Sequence, residues 1–340
     1  MEAISTRRIL KKRGAVRVIK KVIITGCAGF IGSTLTDRML DLEYDVIGID
    51  NFSTGKIEFL ENASTKKNFT LVKADLLYEK DILADVFKGC DSVFHLAANA
   101  DIKNNIFEPQ KNIEQNILAT FNVLEATVKA RAKNIIFSST GSVYGETPIV
   151  PTPESAALYP QTSIYAATKV ASEALIEAYC ESFGINGFIF RFVSVLGPRY
   201  HHGHVYDFYN KLKNDKNILE VLGNGKQTKS YLHVYDCVNA ILLAIKLDRE
   251  KVYTYNLGTD EVITVEESIK EITRILQVKP DIIYEEQLRG WIGDNPLIYL
   301  DCSKIKKLGW KPKYTIKKGI EDTLKYLIKK DEKNINNNRR

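Results

Sequence analysis

The chain has 340 residues, enough for one large domain or two smaller ones with a full apolar core. Hydrophobic residues make up 44% and charged residues 26%, as in ordinary globular proteins. No apolar run approaches the roughly 20 residues that a membrane-spanning helix needs, so no membrane role is expected. The net charge of +6 sits at one end: residues 1–21 hold eight Lys/Arg and one acid, Glu2, so the rest of the chain carries −1. A near-neutral body argues against nucleic acid as the main partner. The five cysteines, Cys27, Cys90, Cys180, Cys237 and Cys302, are scattered without a C-x-x-C pair, which argues against a disulfide framework or a zinc site and for a reducing, cytoplasmic setting.

In chain order, residues 1–20 read as a basic extension. Lys21-Val-Ile-Ile-Thr25 is a β-branched run that stops at glycine, the pattern of a buried parallel strand. Helical spacing runs from Ile31 to Leu40. Further strands are predicted at Asp45–Asp50, Phe69–Val72, Ser92–Leu96, Asn134–Ser138 and Gly187–Arg191, with long helices at Ile113–Ala130 and Ser163–Phe183. Strands alternating with helices predict an α/β fold: a Rossmann-type, doubly wound parallel sheet over 21–193. After Arg191 the pattern loosens into shorter elements and Gly/Pro turns. It predicts a smaller α/β C-terminal lobe over 194–328, some of whose segments return to the sheet, and a frayed tail over 329–340.

Between the first strand and first helix lies Gly26-Cys-Ala-Gly29-Phe30-Ile31-Gly32. Glycines there permit a tight turn and close approach of the backbone to a pyrophosphate resting on the helix N-terminus. Asp50, 24 residues beyond Gly26 and just before Asn51, ends the second strand, where a carboxylate grips adenosine ribose hydroxyls. That carboxylate would repel a 2′-phosphate, so NAD is expected rather than NADP. Further on, Tyr165 and Lys169 are four residues apart and share one face of a helix. A phenol has a pKa of roughly 10, and a neighbouring ammonium lowers it by about 1–3 units, which makes Tyr165 a candidate general acid/base.

Together these residues resemble the extended short-chain dehydrogenase/reductase superfamily, in its nucleotide-sugar epimerase/dehydratase branch. The resemblance runs from about Lys21 to about Lys325. It includes Asp50-Asn-Phe-Ser-Thr-Gly55, Ala74-Asp75-Leu76, His95-Leu-Ala-Ala-Asn99, Asn116, Ser138-Ser-Thr-Gly-Ser-Val-Tyr-Gly145, the Tyr165/Lys169 pair, Arg191–Arg199 and Leu308-Gly-Trp310. It implies that Asp75 and Leu76 meet adenine, that Leu96, Ala97 and Ala98 line the nicotinamide side, and that Asn116 and Ser138 lie beside the cofactor. It implies that Thr140 hydrogen-bonds the substrate 4-hydroxyl, that Tyr165 removes its proton, and that Lys169 binds the nicotinamide ribose. Asn99, Ser139 and Ser142 would face the sugar. Helix pairing across a two-fold axis, giving a homodimer, is implied in the same way.

The branches of this family differ in the two residues after the position of Thr140. Sugar 4,6-dehydratases carry Asp-Glu there, and decarboxylases a Glu; this chain has Gly141 and Ser142, neither of which can act as a carboxyl acid or base. The expected activity is therefore 4-epimerisation of a nucleotide sugar, UDP-glucose/galactose or the N-acetylated forms. The alternatives are a 4,6-dehydratase, a 4-keto reductase or a non-catalytic NAD sensor. In the substrate lobe the family uses an Asn and two Arg for the nucleoside diphosphate. Here those places hold Ser194, Lys229 and Arg289, with Asp294 nearby; a lysine holds phosphate as a point charge, without a bidentate fork. Ile298 stands where hexose 4-epimerases limit the sugar C2 substituent. His201, His202 and His204 read as a polar substrate loop rather than a metal site, with His204 on phosphate or sugar. His95 and His233 read as structural.

Overall fold

The computed structural model describes residues 9–12, 15–18, 20–100, 106–246, 251–287 and 297–338. Within the basic extension, Ile9–Lys12 and Ala15–Val18 pair as an antiparallel hairpin. The chain divides into two compact units: residues 1–139, 167–190 and 245–254 form one, and residues 140–166, 191–244 and 255–340 the other. The chain therefore passes between units several times, where the sequence suggests a principal change near residue 193.

The first unit is organised by a seven-stranded sheet. Its strands are β1 (Lys21–Thr25), β2 (Asp45–Asp50), β3 (Phe69–Lys73), β4 (Ser92–His95), β5 (Asn134–Thr140), β6 (Asn186–Phe192) and β7 (Val252–Leu257). Their spatial order is β3-β2-β1-β4-β5-β6-β7, and the pairings from β3 through β5 are parallel. This is the doubly wound Rossmann order, in which the chain reverses direction between β1 and β4 and leaves a crevice at their carboxyl ends. Val22, Ile23 and Ile24 of β1 are all buried, which is why that strand reads as a continuous apolar run rather than an alternating one. Each such side chain contributes about 1.5–3 kcal/mol on burial.

The longer helices packed around this sheet are α1 (Phe30–Asp41), α2 (109–129) and α3 (Ile164–Phe183). Helix α2 includes a π-helical stretch, Ile113–Leu118. Ala119, Val123 and Leu124 of α2 join Ile135 and Phe137 of β5 and Ile176 and Cys180 of α3 in one buried cluster. All five cysteines are buried free thiols.

The second unit is built from short paired strands and several further helices, Val234–Ala244 among them. Ser194–Leu196 pairs in parallel with Tyr231–His233, Ile218–Val221 in parallel with Asp281–Tyr284, and Thr228–Lys229 antiparallel with Ile263–Thr264. Its longer helices also include α4 (His204–Asn214), α5 (Val265–Leu276) and α6 (Ile316–Asn338). The start of α5 is written in Thr264-Val-Glu-Glu267: Thr264 Oγ1 accepts from the Glu267 N–H at 3.1 Å, and the Glu267 carboxylate accepts from the Thr264 N–H at 2.8 Å. Helix α6 continues to Asn338, past Lys329, where the sequence predicts fraying. Among the described residues no helix is long and apolar enough to cross a membrane.

Candidate active site

In the first unit the glycine turn is shaped by close packing. Gly26 has φ +70°, and a Cβ there would lie 2.7 Å from the Ala97 nitrogen. A Cβ on Gly32 would lie 2.0 Å from the Gly26 carbonyl oxygen, so α1 meets the turn with no room for a methyl group. Gly29 is the N-cap of α1, whose first turn contains no acidic residue. Phe30 is buried at that turn and Ile31 half-buried. A 12-residue helix with its positive end unopposed suits a diphosphate. Asp50 ends β2, and its two carboxylate oxygens accept from the Ala28 N–H at 2.9 Å and the Phe52 N–H at 2.8 Å. Burial pushes its pKa up while those two N–H groups oppose the shift. Asn51 donates to Asp75 at 2.7 Å, tying the ends of β2 and β3 together. Leu76 is buried, and Leu96, Ala97 and Ala98 leave β4 half-buried.

Behind this surface runs a buried polar chain. His95 is fully buried; its Nδ1 lies 2.8 Å from Thr25 Oγ1 and its Nε2 2.9 Å from Thr120 Oγ1. Thr120 donates to the Asn116 carbonyl, so the Nε2–H tautomer of His95 satisfies every partner. The Asn116 amide accepts from the Asn99 N–H at 2.8 Å and donates to the Asn99 carbonyl at 3.1 Å and to Thr168 at 2.9 Å. The Asn116 side chain, expected beside the cofactor, is buried and holds the Asn99 segment and α3. It lies in the π-helical stretch, where its carbonyl also accepts from Ser172.

His95 predicts an acid sensitivity. Its pKa is pushed down to about 3, first by burial and then by the Lys169 charge, against about 6.5 in an unfolded chain. Between those values the unfolded chain binds a proton that the folded one refuses. Stability is therefore complete above about pH 6.5 and declines toward pH 3 by up to about 1.4 kcal/mol per unit. Urea midpoints should be lower at about pH 5.5 than at pH 7; equal midpoints contradict the assignment.

Helix α3 carries Tyr165 and Lys169 one turn apart, both buried. Lys169 Nζ donates to the Ser138 carbonyl at 2.8 Å and sits 4.5 Å from the centre of the Phe137 ring. Burial pushes the Lys169 pKa down to about 7, with the Glu173 carboxylate opposing. Burial also pushes the Tyr165 phenol up. This corrects the sequence expectation of a lowered phenol: a lysine four residues away is legible in sequence, but the desolvation that dominates here is not. Ser139, expected to face the sugar, is buried and donates its hydroxyl to Glu173. Sequence reasoning missed Glu173; its signal was its place four residues after Lys169 on the same face.

At the end of β5, in the second unit, Thr140 Oγ1 lies 3.2 Å from Ser142 Oγ and accepts from the Ser142 N–H at 3.2 Å. The residue between them is enclosed: a Cβ on Gly141 would lie 2.6 Å from Ile298 Cγ2 and 3.2 Å from Leu300 Cδ1. Gly141→Asp should therefore lose about 1–3 kcal/mol by overpacking, and Ile298→Ala in the same chain should recover part of it. Thermal unfolding of the two single variants and the double variant measures this coupling; simple additivity contradicts it.

The other second-unit residues have distinct environments. Ser194 is exposed and pairs with Tyr231, two residues after half-buried Lys229, so strand pairing brings these two together from distant sequence. His204 is spoken for: Nε2 lies 2.7 Å from Ser268 Oγ and Nδ1 2.9 Å from Tyr231 Oη. Both ring nitrogens have partners within the protein. His202 stacks on Tyr200 at 5.5 Å. His233 stacks on Tyr314 at 4.1 Å. Arg289 and Asp294 lie outside the described residues.

The family profile described as GDP-mannose 4,6 dehydratase matches residues 23–323. A putative UDP-glucose 4-epimerase of Methanocaldococcus jannaschii is 33% identical over 313 residues, 90% of this chain and 98% of that protein. A crystal structure of a UDP-galactose 4-epimerase is 34% identical, with a TM-score of 0.82 over 91% of this chain and 99% of that one. The UDP-glucuronic acid 4-epimerase of Bacillus cereus, solved with UDP-glucuronic acid and NAD, is 26% identical, with a TM-score of 0.83 over 91% of this chain and 99% of that one.

Proposed function

The chain belongs to the GDP-mannose 4,6-dehydratase family of short-chain dehydrogenases/reductases, and from that premise we propose that it is an NAD-dependent UDP-sugar 4-epimerase. The observation that carries the reading is Thr140 next to Gly141 and Ser142, with no carboxyl group, in a chain that keeps Tyr165 and Lys169. Water elimination across C5 and C6 needs an acid and a base beside the sugar, and the space of a side chain at position 141 is filled by Ile298 and Leu300.

The glycine turn, the N-terminus of α1 and Asp50 fit the diphosphate and adenosine ribose of NAD, and Lys169 would hold the nicotinamide ribose. When bound, NAD supplies a hydride acceptor for C4 of the sugar and a positive charge that favours phenolate at Tyr165. Tyr165 takes the proton of the 4-hydroxyl as the 4-keto sugar forms and returns it at the end. Thr140, steadied by Ser142, hydrogen-bonds the same oxygen and fixes its orientation. Lys229 and Ser194 bind the nucleoside diphosphate, and the single charge of Lys229 makes that grip less directional than an arginine would. The keto sugar, with no group to eliminate water, would turn and take the same hydride back at C4 on its opposite face. A substrate deuterated at C4 should emerge as its 4-epimer with the label retained and no build-up of reduced cofactor. Loss of the label to solvent would count against this mechanism.

We also propose a homodimer through α2 and α3. Ile113, Leu118 and Phe121 on α2 and Phe183 on α3 are exposed, and Phe121 meets Tyr179 edge-on at 6.4 Å. Such a patch on two adjacent helices fits a self-complementary interface. Light scattering should give twice the chain mass, and Phe121→Glu should reduce it to one chain; a monomeric parent contradicts the proposal.

A further inference from the structure

Glu173 is a carboxylate only 3% exposed, and it accepts a hydrogen bond from Ser139, itself buried. A carboxylate kept out of water is costly unless a charge or hydrogen bonds offset that cost. It sits on α3 one turn beyond Lys169, which is 2% exposed. The groups around Lys169 come from three elements: Glu173 on α3, neutral His95 on β4, and the Phe137 ring and Ser138 carbonyl on β5. Among these groups Glu173 is the acidic one, and attraction between charges is strong where water is excluded.

We propose that Glu173 is a positioning residue: anchored by Ser139, it holds Lys169 as an ammonium and keeps that ammonium directed at the end of β5. The inference rests on reading Lys169 as part of the catalytic set. Glu173 touches no reacting atom; it acts through Lys169. Its charge opposes the desolvation that pushes Lys169 down to about 7. Without it, Lys169 would be neutral across the working pH range, and Tyr165 would lose the charge that favours its phenolate.

The test is a pH titration of the purified full chain labelled with carbon-13 at lysine Cε, read by NMR. One lysine should titrate near neutral pH, far below the others, and its resonance should vanish in Lys169→Met, which assigns it. Glu173→Gln keeps the size and a hydrogen bond to Ser139 but removes the charge; it should lower that midpoint by about one unit or more. Ser139→Ala keeps the charge and should move it less. Glu173→Asp, the second variant should the glutamine form fail to fold, keeps the charge and should hold the midpoint closer to the parent's than glutamine does. In kinetics, the alkaline limb of the rate profile should move to lower pH in Glu173→Gln by the same amount as the NMR midpoint. An unchanged midpoint in folded Glu173→Gln overturns the proposal, even if activity falls. That result leaves the 4-epimerase reading intact, because the titration needs no substrate; absence of UDP-sugar turnover in the parent would remove that reading without altering the titration.

Discussion

Tyr165→Phe should lower turnover by about 10²–10⁴-fold, the usual contribution of a positioned acid/base group, while leaving fold and NAD binding nearly unchanged. The substitution removes one hydroxyl from a ring that is 9% exposed and keeps the ring's packing. The glycine turn, Asp50 and Lys169 are untouched, so bound NAD should survive purification of the variant. The loss should appear in kcat rather than in substrate affinity, because the hydroxyl acts on the proton in flight and contributes little to holding the nucleotide. Rates measured with saturating UDP-sugar, together with the NAD content of the denatured protein, check both halves. A variant with full activity would remove Tyr165 from the mechanism.

Gly32→Ala should be among the most damaging single changes in the protein. The added methyl would fall 2.0 Å from the Gly26 carbonyl oxygen and 2.8 Å from its carbon, both backbone atoms with no rotamer to change. Overpacking costs about 1–3 kcal/mol where side chains can shift, and this site is at or beyond the top of that range. Relief requires moving the turn, which would strain the 2.8 Å bond from the Gly26 N–H to the Ile49 carbonyl and shift α1 away from its diphosphate-binding place. Stability and NAD affinity should therefore fall together. Gly89→Ala is the matched control: φ there is +71°, with nothing within 4 Å of a Cβ, so only the backbone cost of about 1–2 kcal/mol applies. Urea unfolding and NAD titration of both variants decide the matter; Gly32→Ala no worse than Gly89→Ala would contradict the packing argument.

Legibility in the sequence tracks the range over which each feature is encoded. The strand ending at Thr25, the glycine turn, the acid at the end of β2 and the Tyr165/Lys169 pair are all visible, because each is written within a few consecutive residues or one helical turn. The capping box at Thr264 is equally local, although it positions nothing in the site. The polar chain through His95 is not visible beyond the expectation of a structural histidine: Thr25 lies 70 residues before His95 and Thr120 25 after it, and strand order alone makes them neighbours. The partnership of Ser139 with Glu173 is hidden for the same reason. So is that of His204 with Ser268, 64 residues on, which nothing in its loop announces. Tyr165 shows a different limit. Its neighbour can be read, but its desolvation cannot, and desolvation sets the direction of its pKa. Gly141 shows the reverse: its lack of a carboxyl is plain in sequence, and the structure adds that Ile298 and Leu300 occupy the space.

The most direct test of the central claim is to incubate the purified protein, without added cofactor, with UDP-glucose, UDP-N-acetylglucosamine and UDP-glucuronic acid in turn, and to separate and weigh the sugar nucleotides. The 4-epimerase assignment predicts that at least one is converted to an isomer of unchanged mass, with no reduced cofactor released. A product lighter by one water would show a dehydratase whose acid and base lie elsewhere than beside Thr140, and would contradict that assignment.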